Sequence, residues 1–181
     1  MVGAVRLFVA VPLSEEARHH MSHLLDGASL PGRPHHPEKW HITLRFLGEV
    51  DEVARDRVAA CLDEADLGEP FRVRWGGLDA FPRASKANVL WVGVEHGFDH
   101  LEALHARVER ALDGAGFPPE DRPFRPHLTL SRIRPQQDVT ELVERTESLG
   151  VTMPVDRVTL YRSHLGRGAA RYEELESFPL G

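Results

Sequence analysis

The 181-residue sequence has one cysteine, no long apolar run and no excess of positive charge. A lone thiol excludes an internal disulfide, and Cys61 lies at an apolar-periodic position of an expected helix, where it reads as a small buried hydrophobe rather than a nucleophile. The longest apolar stretches, LFVAVPL and VLWVGV, fall far short of the ~20 residues that cross a bilayer, and no charged segment followed by an apolar one opens the chain. These features predict a cytoplasmic protein with no membrane partner. The formal net charge of −6 excludes a protein that grips long nucleic acid over its whole surface, while leaving room for a local basic cleft. At 41% hydrophobic residues the composition is that of a folded globule.

Strand and helix periods then alternate along the chain. AVRLFVAVP (4–12) alternates around β-branched and aromatic residues as a strand does, and Ser14 with Glu15 and Glu16 caps a helix that runs to about residue 26. GASLPGRPHHPEK (27–39) is dense in Gly and Pro and reads as a long loop before a strand that starts at His41. Asp51 opens a second helix that ends by Gly68. FRVRWGGL and NVLWVGVE are strands, and a helix over 98–113 carries Leu101, Leu104, Val108 and Leu112 on one face. A second Pro-rich loop, GFPPEDRPFRP, leads into a strand bearing His127, followed by a short helix (138–148) and strands at 151–162 and 170–176.

This grammar is duplicated. Strand, helix, Pro-rich loop and the tetrapeptide His41-Ile42-Thr43-Leu44 are followed by strand, helix, Pro-rich loop and His127-Leu128-Thr129-Leu130, with the histidines 127 − 41 = 86 residues apart. The repeat predicts one bilobal domain over residues 1–181, of α+β class. Two antiparallel-sheet lobes are related by a pseudo-twofold, with helices outside and a central cleft. Two copies are too few for a solenoid.

Strand parity gives each tetrapeptide two faces. Side chains at i and i+2 project together, so His41 with Thr43 and His127 with Thr129 share one face, while Ile42, Leu44, Leu128 and Leu130 form the apolar one. A single His-x-Thr is ordinarily a half-buried histidine held by a neighbour; two copies after matching loops point to a functional pair. Two imidazoles that titrate near neutrality can take opposite protonation states, one accepting a proton from water while the other protonates a leaving oxygen. Threonine hydroxyls donate to phosphoryl oxygens and arginine neutralises their charge, a set suited to phosphoryl chemistry with neither metal nor cofactor.

The segments KWHITLRFLGEV, RPFRPHLTLSRIR and LYRSHLGRGAARYEEL resemble the two-histidine phosphoesterase superfamily, most closely the RNA 2′,3′-cyclic phosphodiesterases, also called 2′-5′ RNA ligases. The resemblance implies a hydrolase, active as a monomer without metal, that opens 2′,3′-cyclic phosphates at RNA or oligonucleotide ends to 2′-phosphates. The resemblance also implies a reversible 2′-5′ ligation as a secondary activity. It also implies that His41 protonates the departing 3′ oxygen, that His127 activates water, and that Thr43, Thr129 and Arg132 contact the phosphate. Alternatives are a phosphoesterase for another cyclic nucleotide such as ADP-ribose cyclic phosphate, and a non-catalytic module that binds RNA ends. Where the family has an arginine before the VLW strand, this chain has Asn88, with Lys86 two residues earlier.

Alternation also raises a conflict. It places Ser131, not Arg132, on the His127 face, so Arg132 reaches a phosphate there only if the strand bulges, bends or ends. By the same rule Phe46 belongs to the core, and Arg45 either lines the cleft or marks an exposed strand end. Of the other histidines, His19 and His23 have the i, i+4 spacing of a zinc pair but no acidic residue between them, so a solvated helix face is the expectation, as for His96, His100 and His105. His35 and His36 are placed to attract an RNA end, His164 reads as loop, and Ser163 and Arg167 are candidates to border the cleft.

Overall fold

The structure, a computed structural model, describes residues 4–166 and 170–181. Its first strand, β1 (Val5–Pro12), shows how the sequence builds two faces: Leu7, Val9 and Val11 enter the main core, while Phe8 and Ala10 turn the other way to meet Tyr161. Helix α1 (Glu15–Leu24) follows, its Ser14 side chain accepting from the Ala17 N–H at 3.2 Å as an N-cap. The 27–39 loop contains a two-residue strand, β2 (Arg33–Pro34), and a single 3-10 turn at Pro37–Lys39. Then come β3 (His41–Val50), α2 (Glu52–Asp63) capped by Asp51, β4 (Phe71–Phe81), β5 (Ala87–His96) and α3 (Phe98–Gly114). The chain continues through β6 (His127–Gln137), α4 (Thr140–Arg145), β7 (Thr152–Val155), β8 (Arg157–His164) and β9 (Arg171–Pro179).

The strands form two antiparallel sheets, ordered β3-β1-β8-β9 and β2-β6-β5-β4-β7. Each histidine strand lies beside the strand that precedes its helix, β3 on β1 and β6 on β5, as the duplicated grammar requires. The chain then crosses over: β4, which follows the first motif, joins the second sheet, and β8, which follows the second motif, joins the first. The expected strand at 151–162 is therefore two strands on different sheets, divided at Asp156. One continuous apolar cluster runs from Val9, Met21 and Ile42 through Leu62 and Leu104 to Leu90 and Leu128, so both sheets and the first three helices share a core.

Both loops reach across to the opposite motif. Arg33 and Pro34 pair with Arg132 and Ser131, and the His35 N–H donates to the Leu130 carbonyl at 2.7 Å, so the loop before His41 extends the sheet of His127. Gly32 makes this approach possible: its φ is +76°, and a Cβ there would strike the Arg132 carbonyl. In return the loop before His127 packs on β3, where the Pro118 carbonyl accepts from Arg45 Nη2 at 2.8 Å.

Candidate active site

Register explains how the two motifs present their side chains. Along β3, Thr43 pairs with Ala10 and Arg45 with Val9, leaving Leu44 as an extra residue; along β6, Thr129 pairs with Trp91 and Ser131 with Leu90, leaving Leu130 extra. Each strand thus bulges at the fourth residue of its motif, which reverses the faces beyond it. Ser131 is buried and Arg132 swings onto the His127 side, resolving the parity conflict in favour of Arg132. The same reversal corrects one reading in the first motif: Phe46 is 54% exposed rather than core. Of the two readings of Arg45 the cleft one holds, since it lines the cavity while being only 9% exposed. Its guanidinium is buried against α3, with Nη1 donating to Glu109 Oε2 at 2.6 Å.

His41, Thr43, His127, Thr129 and Arg132 all line one cavity of about 610 Å³. Both imidazoles are oriented alike. His41 Nδ1–H donates to the Lys39 carbonyl at 2.7 Å and His127 Nδ1–H to the Arg125 carbonyl at 2.6 Å. A carbonyl only accepts, so both rings carry hydrogen on Nδ1 and leave Nε2 for chemistry. There the symmetry ends. His41 Nε2 lies 3.0 Å from the Thr43 hydroxyl, and its ring sits among Phe8, Tyr161 and Tyr172, with the Tyr172 ring edge-on at 5.4 Å. His127 instead packs edge-on against Phe81 at 5.1 Å and Trp91 at 5.7 Å.

These surroundings fix the resting charges. Burial pushes His41 down to about 4, against the upward pull of its Lys39 hydrogen bond, with His35 and His127 pushing it further down. Burial also lowers His127, and Arg122 and Arg132 act in the same direction against its hydrogen bond to Arg125. Both shifts favour the neutral ring at pH 7.

The remaining sequence candidates divide. His35 and Lys39 line the cavity; Lys86 and Asn88 are exposed and do not. His105 is not solvated: it is half-buried, lines the cavity and stacks on Phe124 at 4.2 Å. His164 lies in β8, not a loop, with Nε2 2.6 Å from Glu173. Ser163 is half-buried away from the cavity lining, and Arg167 falls outside the described residues. Cys61 is half-buried against the core. His19, His20 and His23 are not gathered into a metal site: among the described residues no group of three or more His, Cys, Asp or Glu is placed to hold a metal ion. Sequence reasoning missed Tyr172, Phe81 and Arg122 as cavity residues. The even-numbered aromatic in β1, Phe8, was the signal that the cleft face of that sheet is itself aromatic.

Residues 9–167 match the family described as the 2′-5′ RNA ligase superfamily. The chain belongs to that superfamily. An RNA 2′,3′-cyclic phosphodiesterase of Aeropyrum pernix is 37% identical over 142 residues, covering 76% of this chain and 80% of the relative. One from Methanothermobacter thermautotrophicus is 33% identical, covering 97% of this chain and 99% of its own length. Among solved structures, E. coli LigT in its apo form superposes with a TM-score of 0.81 at 26% identity, covering 98% of both chains. The superfamily's fold thus spans nearly all of the chain. Among the described residues no helix is long and apolar enough to cross a membrane.

Proposed function

We propose that this protein hydrolyses 2′,3′-cyclic phosphates at RNA or oligonucleotide ends to 2′-phosphates, using His127 as general base and His41 as general acid. The observation that carries the reading is the pair of Nε2 atoms freed by matching carbonyl bonds within one cavity that also holds Arg132 and both motif threonines. The names and extensive coverage of the relatives support the same reaction.

The cyclic phosphate is a monoanion, drawn in by Arg132 and held at its non-bridging oxygens by the Thr43 and Thr129 hydroxyls. Its charge beside His41 offsets the desolvation that keeps that ring neutral, so binding and proton uptake by His41 are coupled. His127 Nε2 takes a proton from water as the water oxygen bonds to phosphorus. The bond from phosphorus to the 3′ oxygen breaks, and His41 Nε2–H protonates that oxygen. An RNA 5′-hydroxyl in place of water gives a 2′-5′ linkage by the same proton transfers. Both walls come from one chain, which supports a monomeric enzyme; the superfamily's RNA chemistry is consistent with a cytoplasmic one.

The test is turnover of a nucleoside 2′,3′-cyclic phosphate in excess chelator, with the product assigned as the 2′- or 3′-phosphate by phosphorus NMR. Chelator-resistant release of the 2′-phosphate is expected. Absence of turnover, or release of the 3′ isomer, overturns the assignment.

A further inference from the structure

The segment that delivers His127, residues 117–126, contains Pro118, Pro119, Pro123 and Pro126, none of which has an N–H to donate. Among the described residues no backbone group of 118–126 bonds to another backbone group. Side chains of β3 and α3 hold the segment instead. Arg45 Nη2 donates to the Pro118 carbonyl at 2.8 Å, and the Glu120 N–H donates to Glu109 Oε2 at 3.2 Å, the same oxygen that accepts from Arg45 Nη1 at 2.6 Å. One helical turn before Glu109, His105 stacks on Phe124 at 4.2 Å with ring planes 3° apart. The carbonyl that follows, that of Arg125, accepts from His127 Nδ1–H. The loop before His41 is held differently, by backbone pairing of Arg33 and Pro34 with Arg132 and Ser131 and by the turn that closes when the Lys39 N–H donates to the His36 carbonyl at 2.8 Å. Each loop is thus tied to the fifth residue of the opposite motif, through backbone at Ser131 and through the side chain at Arg45.

We propose that Arg45 and Glu109 are positioning residues for the histidine of the opposite motif: their buried pair fixes segment 117–126, and so aims the Arg125 carbonyl that sets the ring and tautomer of His127. This assignment rests on the reading of His127 as the general base. A neutral imidazole accepts a proton only at the nitrogen without hydrogen, and the bond made by the other nitrogen decides which one that is. With the Arg125 carbonyl released, His127 is free to carry hydrogen on Nε2, the form that cannot deprotonate water. His41 takes its tautomer from the Lys39 carbonyl on the other loop, so it is an internal control.

The experiment separates aiming from stability. In Arg45→Met/Glu109→Leu both buried charges are replaced by apolar groups of similar volume, which preserves the fold, while the bonds to Pro118 and Glu120 are lost. Arg45→Lys keeps a charge beside Glu109 without the planar fork that also reaches Pro118. Both are compared with the wild type by thermal melting, by steady-state turnover of a nucleoside 2′,3′-cyclic phosphate, and by the nitrogen-15 shifts of the histidine rings at neutral pH. The double variant is expected to melt near the wild-type temperature and to lose about 10²-fold in kcat, with KM little changed because Arg132, Thr43 and Thr129 are untouched. The spectra should show His127 shifting from hydrogen on Nδ1 to a mixture of tautomers while His41 keeps its own, and Arg45→Lys should show the same selective change to a smaller degree. A wild-type His127 tautomer in both variants overturns the proposal, as does an equal change at His41 and His127, which would report general loosening. Failure of the wild type to open any cyclic phosphate instead overturns the activity reading, and the ring spectra still report on Arg45 in that event.

Discussion

The two histidine strands share a plan and differ in their surroundings. Both begin with a histidine bonded to the carbonyl two residues earlier, both bulge at the fourth position, and both bury the fifth residue while exposing the sixth. Yet the fifth residue is Arg45 in one and Ser131 in the other, and the sixth is Phe46 against Arg132. Symmetry supplies two aimed imidazoles because one local backbone solution serves twice. Departures from symmetry then make the walls chemically unequal. The His41 wall is aromatic and carries the deeply lowered imidazole, whereas the His127 wall carries the Arg132 guanidinium.

The strongest way to break the comparison is to remove one imidazole at a time. His41→Ala and His127→Ala should each lose about 10²–10⁴-fold in kcat on a cyclic phosphate while still folding, as a cooperative melt shows. An aryl phosphodiester, whose phenolate leaves without a proton, separates them: activity should return in His41→Ala and not in His127→Ala. Equal rescue of both would refute the division of labour.

Next comes the inequality at the fifth position. Arg45 joins β3 to α3 through a pair in which both side chains are below one-tenth exposed, and removing it takes the guanidinium from the buried Glu109 carboxylate, leaving it only the Glu120 N–H and the nearby His105. Arg45→Ala should lose about 3–5 kcal/mol in chemical denaturation. Ser131→Ala, at the matching place in β6, should cost almost nothing, because the buried Ser131 hydroxyl has no hydrogen-bond partner among the described residues.

Acid sharpens the contrast between the imidazoles. His41 is depressed from 6.5 to about 4 in the folded protein, so below pH 6.5 the unfolded chain takes up a proton that the folded one refuses. Stability contributed by the neutral ring is present above pH 6.5 and is lost as pH falls, by up to about 3 kcal/mol by pH 4. His41→Gln should flatten that decline, seen as melting temperature against pH. His35, also near 4, contributes in the same direction. For the reaction, kcat/KM should trace a bell whose maximum lies on the acid side of neutrality, since both free-enzyme imidazoles titrate below their usual value. The kcat profile should sit higher in pH, because the bound anion favours His41 in its charged form. Profiles that coincide would contradict that coupling.

The smallest effect compares helix starts. Asp51 caps α2 by accepting from the Ala54 N–H at 2.7 Å, whereas α3 begins after Gly97 with no side-chain cap. Asp51→Ala should cost about 1 kcal/mol in thermal melts. Gly97→Ala should hurt instead through its positive φ and a clash with the Arg72 carbonyl, not through a lost cap.

Much of this was legible because the period-two pattern of HITL and HLTL fixes which side chains face together, and because the repeat announced two equivalent strands. Caps at Ser14 and Asp51 were readable from the local chemistry of short oxygen-bearing side chains at helix starts. Alternation failed where backbone register changed. A bulge adds a residue without any mark in composition, so alternation puts Phe46 in the core although it is exposed, and Arg132 needs the very irregularity that the pattern does not show. The division of 151–162 into β7 and β8 was invisible for another reason: both pieces are apolar enough for a strand, and which sheet each joins depends on partners far away in sequence. His105 shows the limit for helices, where an exposed-looking position is covered by a loop that arrives later in the chain.

The pairing of β1 with β8 has a consequence for how the protein is made. Residues 5–12 are synthesised well before residues 157–164, the strand that pairs with the other edge of β1. Until then β1 and β3 have one edge unpaired, with the Phe8 side of β1 uncovered by Tyr161 and Tyr172. The His41 wall is therefore finished only after the His127 wall, whose strands β4, β5 and β6 are near neighbours in the chain, has had every segment it needs. A truncation within β8 should yield a chain with an assembled half-site and an aggregation-prone edge rather than a smaller working enzyme.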